Sequence, residues 1–390
     1  MRAPRHLLPV LVLAQFLGVS PWFAVNAVMG DLQRAQGFGP QAVGTLSAGI
    51  QLGFIAGTLV FALTALADRF AARRLFVLSA LAAAACTLAA MTRAHDFDEL
   101  LAWRIATGVC LAGIYPVGMK LASLWFPQGL GAALGWLVGA LVLGSASPHL
   151  LRALGASGPW QGVFVAVAVA STLAALLVWR VVPEPAPRPP AALRLSALAS
   201  LWTERRVRAS VLGYFGHMWE LYTVWVLLPL ILATRLSAPA QVSGWAFAAL
   251  GAGALGCVAG GLLAHRRGAA GSASVAVVQL AISGACCLAA PWMLQAPLPL
   301  FLGWLLLWGI TVAGDSPQFS ALTARNAPAA SVGSVLTFTN CIGFAVSAAS
   351  IELFVRLAQH QPLTQLLPWL ALGPALGLVA MRPLLRPGAA

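Results

Sequence analysis

The sequence predicts an all-α integral membrane protein: twelve transmembrane helices in two six-helix pseudo-repeats. Three observations carry this. Of the 390 residues, 60% are hydrophobic and only 8% are charged, against roughly 25% charged in an ordinary soluble domain. The apolar runs are unbroken and about 20 residues long, the length of a membrane-spanning helix. A proline-rich segment divides them six and six. The composition excludes a soluble enzyme and a disordered chain, because too few polar residues exist to cover a water-facing surface. Unbroken runs also exclude an outer-membrane barrel, whose strands alternate apolar and polar.

The first six runs lie near 7–29, 43–66, 75–92, 98–124, 129–150 and 160–181. The second six lie near 209–233, 241–264, 273–294, 297–321, 329–355 and 363–384. Arg2 and Arg5 precede the first run, but it is too long for a signal-peptide core and no Ala-x-Ala follows, so it reads as a retained span. The expected domains are 1–181, a linker 182–208, and 209–390. In the linker, Pro183 to Pro190 cannot continue a helix. Leu193 to Arg208 reads as a short amphipathic helix on the cytoplasmic surface, with Leu193, Leu195, Leu198, Leu201 and Trp202 ahead of three arginines.

The net charge of +13 is a topology signal, not a nucleic-acid signal. Of the 23 basic residues, Arg104 and Lys120 fall inside the fourth span. Arg34, Arg93, Arg152, Arg235 and Arg356 fall on one side of the membrane, and the other sixteen on the side of the N-terminus. Positive charge marks cytoplasmic loops, so both termini are expected in the cytoplasm of a plasma (inner) membrane.

The two halves repeat each other. Ala112-Gly113-Ile114-Tyr115-Pro116 in the fourth span matches Ala313-Gly314-Asp315-Ser316-Pro317 in the tenth, with Pro127 and Pro328 each eleven residues beyond. The offset is 201 residues. Parallel repeats of six spans predict a cavity between two bundles and alternating access.

With these elements in place, the chain resembles the major facilitator superfamily over nearly its whole length. The family's loop motif after the second span, roughly G-x-x-x-D-R-x-G-R-R, corresponds to Thr64 through Arg74. Asp68 and Arg69 match, Thr64 and Ala71 replace glycines, and Arg73-Arg74 is shifted by one. Gly260 to Arg267 occupies the same place in the second half without the acid, and Arg104-Ile105-Ala106-Thr107-Gly108 resembles the family's R-x-x-x-G motif. The G-P-x-x-G-G motif of drug antiporters is missing from the fifth span. The second span carries Gln51 where nitrate porters carry arginine. The text around Tyr115 to Lys120 and Trp125-Phe126-Pro127 is similar to the nitrate/cyanate-permease-like branch. The resemblance implies a conformational latch formed by Asp68, Arg69, Arg73 and Arg74.

Ionisable residues at membrane depth are site candidates by default. Glu220 lies near the middle of the seventh span, and His217 shares its helix face three residues earlier. Such a pair can exchange a proton, or serve as a static tie to a neighbouring helix. Asp315 sits in a Gly-Asp-Ser-Pro break and is a third proton-coupling candidate, or alternatively one member of an interdomain ion pair. Arg104 reads equally as an anion attractor or as a hydrogen-bond hub for nearby carbonyls. Lys120 either binds a substrate anion or snorkels to headgroups. Tyr115, Tyr214, Gln51, Gln318 and Asn340 are further candidates for solute contact, with Asn26 and Tyr222 beside them. The six cysteines read as small buried apolar residues without metal spacing, and the tryptophans as interfacial belts. No nucleophile constellation or P-loop occurs, so no enzyme, metal or cofactor is expected.

The expected function is secondary transport of a small polar solute, an organic or inorganic anion, by proton symport in a monomeric carrier within the bilayer. A drug or metabolite exporter working by proton antiport is the alternative. A non-transporting membrane receptor or sensor is the alternative from another class.

Overall fold

In hydrocarbon a backbone amide has no water to bond to, so each apolar run must close its own hydrogen bonds as helix. The computed structural model describes residues 4–126, 130–155, 158–184 and 194–385, without the side chains of 67, 68, 130–132, 269 and 330. Among the described residues every regular element is helical. Twelve helices are long and apolar enough to cross a membrane. The first six are Leu7–Ala27, Ala42–Leu63, Ala72–Thr92, Phe97–Trp125, Ala133–Leu154 and Gln161–Val181. The second six are Arg205–Ala233, Pro239–Arg266, Gly271–Met293, Leu298–Asn326, Val332–Leu357 and Leu363–Leu385. Each falls on an expected run, with ends that differ by a few residues.

The linker differs from expectation. Its helix is only Ala197–Thr203. Glu204 is extended, and Arg205 already opens the seventh-span helix. Arg205, Arg206 and Arg208 therefore sit on the first turns of the helix that carries the seventh span, not on the linker helix. Of the proline run, residues 185–190 lie outside the described residues, as does Leu193. The chain divides into two units, Met1–Ala192 with Leu236–Phe247, and Leu193–Arg235 with Ala248–Ala390.

The internal repeat has a physical counterpart in each unit. The fourth span is two helices, Phe97–Ala112 and Tyr115–Trp125. The tenth is also two, Leu298–Gly314 and Ser316–Asn326. Each second helix carries proline at its second residue, Pro116 or Pro317, where the missing N–H would be unpaired anyway. Close approach recurs at the same offset. A methyl on Gly108 would strike the Ile50 carbonyl of the second span, and one on Gly309 the Ala249 carbonyl of the eighth. Just before each break, a methyl on Gly113 would strike Ser79 of the third span, and one on Gly314 would meet Gln279 of the ninth. Small residues let helix backbones touch where lipid gives no hydrophobic drive for association.

The first span is interrupted as well. An α-helix over Leu7–Gly18 gives way to a tighter turn, Ser20–Phe23, with Pro21 in its first positions, and then to Ala24–Ala27. The seventh span has no such interruption between Arg205 and Ala233.

Candidate functional site: a buried acid–histidine network

Four expected site residues come together in the second unit, on the seventh and tenth spans. His217 and Glu220 are one helical turn apart on the seventh span, so both present to the same neighbours. His217 Nδ1 lies 2.8 Å from Asp315 Oδ1. Its other nitrogen, Nε2, lies 2.7 Å from the Ser316 hydroxyl. Asp315 and Ser316 are available because the tenth span breaks at that point: Asp315 is the hinge residue and Ser316 the first of the new helix. Nδ1 and Asp315 are at ion-pair distance, while both Asp315 side-chain oxygens lack a hydrogen-bond partner among the described residues; the donor and acceptor roles of Nε2 and Ser316 follow the ring's tautomer.

Glu220 is held differently. Its Oε1 accepts from the Ser283 hydroxyl, from the Trp308 indole N–H at 2.7 Å and from the Cys287 thiol at 3.1 Å. The second oxygen, Oε2, has no hydrogen-bond partner among the described residues. Ser283 and Cys287 are four residues apart on the ninth span, so one face of that helix supplies both donors. Trp308 comes from the tenth span, and its ring packs 5.0 Å from Trp304. Glu220 and Asp315 are each 0% exposed and His217 is 1%. Tyr214 and Phe319 complete the wall, with ring centroids 5.9 and 5.6 Å from His217. Nearby, the Cys257 thiol bonds the Ala313 carbonyl at 3.2 Å, and Gln279 bonds the Gly256 carbonyl at 3.3 Å.

Two expectations need correction. Cys287 is buried, but it is a hydrogen-bond donor to a carboxylate and not a plain apolar filler. Trp308 is 1% exposed and donates to the same oxygen, so it belongs to no interfacial belt. Ser283, Cys287, Trp308 and Ser316 were not among the sequence candidates. The sequence signals for them are the four-residue spacing of Ser283 and Cys287 and the place of Ser316 in the Gly-Asp-Ser-Pro break.

In the first unit the buried charge is a cation. Arg104, 2% exposed, donates from Nη1 to the Pro21 carbonyl at 2.9 Å and from Nη2 to the Trp22 carbonyl at 2.5 Å. Both carbonyls belong to the turn that interrupts the first span, and the Pro21 carbonyl also accepts the Ala24 N–H. Asn26 donates to Ser47 at 2.7 Å, and buried Gln51 leaves its carbonyl oxygen unpaired among the described residues. Asp31 and Arg152 form a two-pronged ion pair at 2.8 and 2.9 Å between the ends of the first and fifth spans.

The remaining candidates are dispersed. Tyr115, Lys120 and Asn340 are half-buried, and Gln318 is buried three residues after Asp315. Arg73 lies 3.6 Å from Glu184 and its guanidinium stacks 5.0 Å over Trp179, so it is tied to the end of the sixth span. Arg69 and Arg74 are exposed. The side chain of Asp68 lies outside the described residues.

Twelve spans, paired breaks at a fixed offset and buried ionisable side chains define a polytopic membrane carrier. The family model of the Major Facilitator Superfamily matches residues 11–351, and the chain belongs to that family. Its members are transporters, not enzymes. A 3-(3-hydroxy-phenyl)propionate transporter of Escherichia coli K12 is 29% identical over 230 residues, 58% of this chain and 56% of that one. A putative metabolite transport protein of Haemophilus influenzae is 31% identical over 150 residues, 37% of this chain and 34% of its own. The chain thus matches about half or less of the length of these relatives. The proton:xylose symporter XylE superposes with a TM-score of 0.77 at 14% identity, covering 97% of this chain and 95% of that one. The human organic anion transporter MFSD10 gives 0.75 at 16%, covering 97% and 99%. At such identities these two show the fold alone. None of the four carries a nitrate or cyanate name, and that branch placement stays a sequence resemblance.

Proposed function

We propose that this transporter moves a small organic or inorganic anion together with a proton, and that Glu220 carries the proton. One observation carries the reading. A fully buried carboxyl with one oxygen in a three-donor cradle and the other unpaired sits on the same face as a His–Asp pair. A charge isolated at membrane depth is costly, so protonation of Glu220 must be linked to the chain's movement between its two access states. His217 and Asp315 relay the proton, since the imidazole touches a carboxylate on one side and a hydroxyl on the other.

An organic acid is the favoured solute. The relative named for 3-(3-hydroxy-phenyl)propionate is a carboxylate carrier by that name, and Lys120 supplies a half-buried cation on the fourth span. Arg104 is assigned to holding the first-span turn, not to the solute. The arginine asymmetry supports an inner-membrane carrier with both termini cytoplasmic. The latch role of Asp68 and Arg69 belongs to the same reading: Asp68→Asn slows turnover while leaving solute affinity nearly intact.

The test is uptake of a labelled aromatic carboxylate into liposomes with an imposed pH gradient. Wild type accumulates solute only when the outside is acidic. Glu220→Gln loses accumulation yet still exchanges labelled for unlabelled solute. Gradient-driven accumulation by Glu220→Gln overturns the assignment.

A further inference from the structure

We infer that the linker helix and the basic start of the seventh span form a docking surface for anionic phospholipid. The helix Ala197–Thr203 is apolar on two sides. Ala197 and Leu201 are buried, while Leu195 is 65% exposed, Trp202 48% and Leu198 37%. Protein covers the first pair and leaves the other three to the surroundings. Around those three stand exposed Arg194, Arg205, Arg206 and Arg208, with Glu204 as the one acid between Arg194 and Arg208.

The surface is fixed in place. The Arg194 backbone N–H donates to Ser334 Oγ at 2.9 Å, Arg208 Nη1 to the Trp202 carbonyl at 2.9 Å, and Arg206 Nε to Asn326 Oδ1 at 3.0 Å. Its depth follows from continuity of the chain. Arg205 opens a 29-residue helix, about 43 Å long against about 30 Å of hydrocarbon, so its first turns and the linker helix joined to them reach the headgroup level. That level is where tryptophan and cationic side chains gather. Four arginines against one glutamate select a negative headgroup, and the three apolar side chains fit the acyl boundary beneath it. This surface is independent of proton coupling.

The test uses the full chain in nanodiscs of phosphatidylcholine and phosphatidylglycerol, with bromine on the acyl chains of one lipid at a time. Trp202 fluorescence is isolated by subtracting the signal of Trp202→Phe. Brominated phosphatidylglycerol should quench Trp202 more than brominated phosphatidylcholine at equal mole fraction. Each arginine near a charged surface contributes about 1 kcal/mol. Arg194→Gln and Arg205→Gln should each therefore lower the preference for phosphatidylglycerol about 5-fold. Equal quenching by the two lipids overturns headgroup selection. No quenching by either overturns the lipid surface and leaves water or a protein partner against Trp202. Should a variant fail to fold, wild type at about 1 M salt makes the same test, because screening to about 3 Å must erase the preference; a preference that survives overturns it.

Discussion

The two halves place a buried ionisable side chain on the same pair of helices, the first and fourth of each repeat, and give it opposite chemistry. In the first half, Arg104 of the fourth span meets two backbone carbonyls of the first. In the second, Asp315 of the tenth span meets an imidazole of the seventh. Arginine keeps its charge in any protein setting, and carbonyls do not titrate, so the first arrangement has one state. A carboxylate against histidine, beside a second carboxyl held by hydroxyl, thiol and indole, has several. The two charges do not occupy equivalent places in the repeat: at the 201-residue offset Arg104 faces Leu305 and Asp315 faces Ile114. One half holds its buried charge against backbone carbonyls, and the other gathers two carboxyls and an imidazole, the set proposed above to carry the proton.

The largest way to break that contrast is at Glu220. Glu220→Gln keeps the size and the hydrogen-bonding carbonyl but removes the titrating group. Gradient-driven uptake should fall by about 100-fold or more, as for other lost proton-transfer groups, with thermal stability close to wild type. Asp315→Asn should act in the same direction. A similar loss from a variant of Arg104 with unchanged stability would erase the distinction between the halves.

Arg104→Met tests the clamp. It removes the guanidinium donor from the Pro21 and Trp22 carbonyls in a buried setting, and a hydrogen bond to a charged group contributes about 1.5–3 kcal/mol. The expected result is a lowered unfolding temperature and folded yield, with the proton dependence of the surviving transport unchanged. A normally stable Arg104→Met that has lost only solute affinity would restore the anion-binding role.

The repeat itself can be sharpened by matched substitutions. Gly108→Ala and Gly309→Ala each drive a methyl into a carbonyl of the neighbouring span, and overpacking of this kind costs about 1–3 kcal/mol. The two losses in thermal stability should be alike. A loss at only one glycine would show that the second interface repacks more freely.

These contrasts were only partly legible in the sequence. Span positions follow from the length of apolar runs, because hydrocarbon thickness fixes helix length. The breaks follow from Ala-Gly-x-x-Pro, because proline removes a donor and glycine lets a neighbour approach. Glu220, His217 and Asp315 stand out as ionisable groups in apolar text. Their partners do not. Whether Ser283 and Cys287 face Glu220 depends on the rotation of the ninth span, which its nearly uniform apolar composition leaves open. The partners of Arg104 are hidden for another reason: they are backbone carbonyls of the turn over Ser20–Phe23, and the apolar run that contains it does not mark the turn. The linker was misjudged because three arginines look like surface residues, although a span can begin with them when their side chains reach the headgroup level.

The smallest effect is expected at Cys287, and it bears on how many donors the Glu220 cradle needs. Hydrogen bonds between side chains inside membrane proteins average about 0.6 kcal/mol, so removing one of three donors should matter little. Cys287→Ala should reduce gradient-driven uptake about threefold, and Cys287→Ser, which restores a donor at nearly the same place, should recover most of it. Counterflow should be unaffected by both. The informative comparison is with Trp308→Phe, which removes the indole donor while keeping an aromatic ring against Trp304. If Cys287→Ala and Trp308→Phe have equal small effects, the cradle acts through the number of its donors. If Trp308→Phe alone is severe, the indole N–H is the donor that holds the carboxyl in place, and the thiol merely fills the space beside it.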